Sequence, residues 1–204
     1  MTKKEPRQKL YNGEIVAGSL LIPESRKIAG LLLQKVSAEE WYNAVVIENV
    51  LQKRSPSSAQ RQAVLIRNRL QRMTPEHWAL VKEGNAEVAT QALLASAVKQ
   101  SRLLSDFMDN VCRQHWLTFN PVLSSRDWQD FLETCALIDP AVGAWTTKTT
   151  TKLRQVIFRM LAEAGYIDTT KKRNLQPVSL VPEVVDYLVK NSEDHILRCM
   201  ECTK

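Results

Sequence analysis

Apolar residues return every three to four positions along almost the whole chain, and that period builds helices rather than strands. Trp128, Phe131, Leu132, Cys135 and Ala136 form one such inward stripe. Leu153, Val156, Ile157, Met160 and Leu161 form another. With 6 Gly and 8 Pro in 204 residues, the chain is too poor in turn formers for a β sandwich or barrel. Hydrophobic residues at 44% and charged residues at 25% match a folded domain and exclude disorder of the bulk. The expected fold is all-α and globular, with eight to ten helices.

Caps and breakers place the boundaries. Pro23 suits the first turn of a helix running to Val36. Ser37-Ala38-Glu39-Glu40 is a capping box that opens a helix to about Gln52. A short Pro56-containing connection leads to a helix over Ala59 to Arg72. Thr74-Pro75 starts a short helix that Gly84 ends. Ala86 to Trp116 is the longest helical stretch, with a break near Gln100-Ser101. Its first half is apolar nearly all round, which places it at the centre of the fold. Ser125 reads as the cap of the next helix, and Asp139-Pro140 as a short turn reaching Trp145. The threonines from Thr146 to Thr151 start a helix that Gly165 stops. Residues 166–180 read as irregular chain or a small hairpin, and two further helices follow, the last frayed. Residues 1–20 are expected as a flexible basic arm, 21–117 as an N-terminal helical part and 118–204 as a C-terminal one. No run approaches the ~20 apolar residues of a membrane helix, so a soluble, cytoplasmic, monomeric protein is expected.

No catalytic motif stands out. His77, His115 and His195 neighbour neither a Gly-rich turn nor a nucleophile. The phosphate-cradling, nucleophile-elbow and zinc-protease patterns are missing from the sequence, so neither an enzyme nor a cofactor is expected. His195, Cys199 and Cys202 share one helix face and offer soft metal donors, but a closed zinc site takes four ligands. They read as an exposed, frayed tail without metal. Cys112 and Cys135 read as small core residues.

The net charge of +6 is unevenly spread. Residues 53–73 hold Lys53, Arg54, Arg61, Arg67, Arg69 and Arg72 and no acid. Residues 148–173 hold Lys148, Lys152, Arg154, Arg159, Lys171, Lys172 and Arg173 against Glu163 and Asp168. The stretch between is acidic, with nine carboxylates to five cations. A solvated surface normally mixes signs, so two windows of one sign suggest footprints for a polyanion. Each window follows the outline of a helix, a short connection and a basic helix, as in a helix-turn-helix. In the first, Arg61, Arg69 and Arg72 lie beside the apolar face, within about 80° of arc. In the second, Lys148, Thr151, Lys152, Gln155 and Arg159 stand opposite the apolar stripe, and Lys171–Arg173 sit where a wing would reach the backbone. Thr151 and Gln155 suit base edges, and the cations suit phosphates or guanine. The aromatic residues fall on faces expected to be buried, which favours duplex DNA over an RNA stacking platform. The rival readings are a protein–protein adaptor and an antitermination-like RNA binder.

Ile28-Ala29-Gly30-Leu31-Leu32-Leu33, Ser37-Ala38-Glu39-Glu40-Trp41 and the run from Glu48 to Ser55 resemble the BrxA family of bacteriophage exclusion (BREX) systems. Arg67-Asn68-Arg69-Leu70, Gln91-Ala92-Leu93-Leu94, Asp106-Phe107 and the stretch from Trp145 to Arg154 extend the resemblance. It implies a small, all-α, DNA-binding accessory protein with helix-turn-helix elements, acting beside other BREX components. It supplies no catalytic residues.

Overall fold

The computed structural model describes residues 10–204. Residues 1–9, with Lys3, Lys4, Arg7 and Lys9 of the expected arm, lie outside the described residues. Helices α1 (Ile22–Leu33), α2 (Ala38–Tyr42), α3 (Pro56–Leu70), α4 (Pro75–Glu83) and α5 (Ala86–Gln100) come first. They are followed by α6 (Arg102–Asp106), α7 (Arg113–Leu117), α8 (Ser125–Ile138), α9 (Thr147–Glu163), α10 (Pro182–Lys190) and α11 (Asp194–Met200). A π turn over Phe107–Cys112 fuses α6 and α7, and another over Asn43–Ile47 extends α2. The fold is all-α, as expected, and no described helix is long and apolar enough to cross a membrane.

The apolar-all-round helix is the central one. In α5 the side chains from Ala92 to Val98 are all buried, and α1, α3, α4, α10 and α11 pack around it. Ser101 makes the break: its side chain accepts from Leu104 N at 3.3 Å and caps α6. At the π turn that follows, Phe107 becomes the hub of an aromatic cluster. Trp128 and Phe131 of α8 and Phe158 of α9 lie 5.5, 5.2 and 5.8 Å from its ring centre. This cluster joins the basic α9 to the centre of the fold.

Several boundaries move. Helix α8 is capped by Ser124 rather than Ser125, in a capping box with Asp127. The expected helix over 38–52 ends at Ile47, because Asn49 captures the chain ahead of it. Asn49 Oδ1 accepts from Lys53 N and its Nδ2 donates to Lys53 O, closing a local loop with Asn49 and Gln52 in left-handed conformations. Residues 10–20, expected within a flexible arm, are packed: Tyr11, Ile15 and Leu20 are buried. Leu10 N and Tyr11 N donate to Asp139 Oδ2, and Leu20 N donates to Glu163 Oε2 at 2.9 Å. This stretch is a strap laid against α3 and α9. Gly18 allows the close approach, since a Cβ there would meet Leu21 Cδ1 at 2.7 Å and Leu65 Cδ2 at 3.2 Å.

The C-terminal tail is likewise docked rather than frayed. Cys199 and Cys202 are buried, and Tyr166 donates its hydroxyl to Met200 O at 2.5 Å. The hydrophobic effect explains the correction: Ile196, Cys199 and Met200 form one apolar face that α5 and the π turn receive. Cys112 lies against Cys202, and this contact together with burial pushes its thiol up. Burial pushes Cys199 up to about 12. Among the described residues no cluster of three or more His, Cys, Asp or Glu side chains could hold a metal ion.

Candidate nucleic-acid interface

The second basic window is built on α9. Thr146 caps it, accepting from Thr149 N at 3.2 Å, and Gly165 stops it in the left-handed conformation at φ +79°. Its apolar stripe is buried against the aromatic cluster, so Lys148, Lys152, Gln155 and Arg159 are exposed on the other side. Thr151 and Arg154 are half-buried at the margins.

Beyond α9 the chain returns in a small hairpin. Ile167 bridges Leu175 antiparallel, and Asn174 bridges Val122, which precedes α8. Asp168 holds the bend, accepting from Thr169 N, Asn174 N and Asn174 Nδ2. Desolvation raises its pKa, but these hydrogen bonds outweigh that and hold the carboxyl below the usual range. Lys171 and Lys172 are exposed at the tip. Arg173 folds back, its guanidinium 5.8 Å above the Phe158 ring and donating to Ser125 Oγ at 3.3 Å.

Helix α9, the hairpin, the strap and α3 together line a cleft of about 600 Å³. Helix α9 contributes Lys152, Arg154, Gln155 and Arg159, and the hairpin Thr170 and Arg173. The strap contributes residues 16–19 and Leu21, and α3 contributes Gln62. No carboxylate lines it. Among the described residues Lys148, Lys152, Arg154, Arg159, Lys171, Lys172 and Arg173 form no ion pair, and Lys148, Lys152, Arg159 and Lys171 are exposed to an outside anion. Two buried polar atoms of the lining, Gln62 Oε1 and Arg173 Nε, have no hydrogen-bond partner. Such an orphan group costs ~1–3 kcal/mol.

The first window is dispersed. Arg69 is fully buried and must be withdrawn from the candidate contacts. Its Nε donates to Gln100 Oε1 at 3.0 Å and its NH1 to Ser19 O at 2.8 Å, pinning the strap to α3 and α5. Lys53 is tied in an ion pair to Glu24 of α1. Arg67 stacks 4.7 Å over Trp41. Arg54, Arg61 and Arg72 are exposed without ion pairs among the described residues, but none lines the cleft. Both connections expected to be short are longer than the three to four residues usual in a helix-turn-helix: 48–55 separates the π turn from α3, and 139–146 separates α8 from α9.

Gln62, Ser19 and Thr170 were not legible as cleft residues. Gln62 and Arg69 stand seven apart beside the apolar stripe of α3, and a polar pair at that spacing was the available signal.

The fold and the cleft define a class: an all-α protein with a basic, carboxylate-free cleft between two of its helices. Comparison with known sequences makes this specific. The chain belongs to the BrxA family, whose model matches residues 9–192. It is 45% identical over 197 residues to the BREX protein BrxA of Paramagnetospirillum magneticum, covering 97% of this chain and 98% of that one. It is 31% identical over 193 residues to the BREX protein BrxA of Escherichia coli O9:H4, covering 95% and 91%. The crystal structure of an uncharacterized protein from Magnetospirillum magneticum superposes with a TM-score of 0.88 at 43% identity, covering 97% of this chain and all of that one.

Proposed function

We propose that this chain binds duplex DNA as a non-enzymatic component of a BREX phage-defence system. One observation carries the reading: the cleft beside the polar face of α9 gathers cations without an ion pair and amides, and no carboxylate is in its lining. Lys148, Thr151, Lys152, Gln155 and Arg159 follow one another along that face, as a recognition helix requires. Helix α8, α9 and the hairpin follow the order of a winged helix-turn-helix, with Lys171 and Lys172 at the tip of the wing. The phosphates supply most of the affinity, so binding is salt-sensitive and weakly sequence-selective. In anisotropy titrations at several salt concentrations, the Lys148→Ala/Lys152→Ala/Arg159→Ala triple variant loses affinity. Its salt slope flattens by about one unit per lost phosphate contact. Unchanged binding by this variant would sink the reading.

An adaptor role is favoured by a separate observation. Leu117, Phe119 and Val122 are exposed, Phe119 to 92%, before α8. Co-purification of other BREX components that Phe119→Ser abolishes, with DNA affinity unaltered, assigns that surface to a protein partner.

A further inference from the structure

The cleft offers more than a basic surface needs. Phosphates ask for cations alone, and Lys152, Arg154, Arg159 and Arg173 provide them. Val16, Leu21, Val156 and Phe158 add apolar lining. Gln62 Oε1 is a buried acceptor without a donor. At about 600 Å³ the space lies within the range of small-ligand pockets. The complementary ligand has an apolar body, an N–H donor and a negative charge on one side. A nucleotide has all three, in its base, its exocyclic or ring N–H and its phosphate. A paired base in a duplex cannot enter, because its donors are engaged and its faces stacked; a nucleotide out of the stack can.

We infer that the cleft is a nucleotide subsite holding one unpaired nucleotide. Its phosphate lies by Lys152 and Arg159, its base against the apolar lining at Val156, and a base N–H donates to Gln62 Oε1. The inference rests on the DNA reading for the source of that nucleotide; a free nucleotide offers the same chemistry.

The test uses the full chain, a fully paired duplex, the same duplex with one bulged adenosine, and adenosine monophosphate alone. The bulged duplex binds about tenfold more tightly than the paired one. Gln62→Ala, folded as judged by circular dichroism, brings that ratio to one, whereas Lys148→Ala weakens both duplexes and preserves it. Calorimetric binding of the free nucleotide that Gln62→Ala abolishes adds a free occupant; no heat with the bulge preference intact makes the strand-borne nucleotide the occupant. Equal affinity for the two duplexes together with no nucleotide binding overturns the subsite. Failure to bind paired duplex, with bulged duplex or nucleotide still bound, overturns the duplex reading and leaves the subsite standing.

Discussion

Arg69 and His77 show how much one side chain can be decided by distant neighbours. Burial lowers Arg69 to about 10 while the charge of Glu163 opposes it, so the guanidinium remains ionised at neutral pH. Removing it leaves Ser19 O and Gln100 without their donor and opens a cavity. Arg69→Ala therefore loses roughly 2–4 kcal/mol, read from urea unfolding. His77 Nε2 donates to Ala92 O at 2.8 Å, while Nδ1 is buried without a partner. Burial is the main cause that lowers its pKa to about 4. Above pH 6.5 the ring is neutral in both states. As the pH falls from 6.5 to 4, the unfolded chain takes up a proton that the folded one refuses, and stability is lost across that window. The parent loses about 2 kcal/mol more than His77→Gln between pH 7 and pH 5, measured by denaturant titration at both values. In sequence Arg69 is one more cation in a basic window. Its place beside the apolar stripe does not show that it is buried, because its acceptor Ser19 O is 50 residues away.

At the scale of elements, legibility follows the range of the forces. Helices α5, α8 and α9 were legible because apolar period and caps act within a few residues. The capping box of α8 is such a device: Ser124 Oγ accepts from Arg126 N and Asp127 N, and Asp127 Oδ2 accepts from Ser124 N. Ser124→Ala costs about 1 kcal/mol and lowers the midpoint of thermal unfolding accordingly. The Ser125 expectation missed by one position because two adjacent serines are equivalent in sequence, and the Asp127 reach selects the first. The helix expected to Gln52 failed for a related reason. Helical propensity there competes with the side chain of Asn49, and the ring it closes with Lys53 wins.

For the whole molecule, the strap over residues 10–20 makes the cleft. It runs from Asp139, before α9, to Glu163 at the end of α9, and its Ser19 hydroxyl donates to Glu163 Oε1 at 2.7 Å. Gly18→Ala pushes a Cβ against the methyl ends of Leu21 and Leu65, which must turn aside, destabilises the fold by about 1 kcal/mol and exposes the Leu20 amide to hydrogen exchange. Thermal unfolding and exchange mass spectrometry read the two effects. Retained protection of that amide would show that the strap tolerates the methyl group.

Helical class, core faces and the segregation of charge are legible along the chain, since each is written in spacing or local composition, and the family is legible in the runs that resemble BrxA. Tertiary structure decided which cations face outward, that α3 and α9 share a cleft, and that the strap and the cysteine-bearing tail are docked. Those outcomes rest on hydrogen bonds and apolar contacts between residues as far apart as Ser19 and Glu163, whose pairing has no signature along the chain.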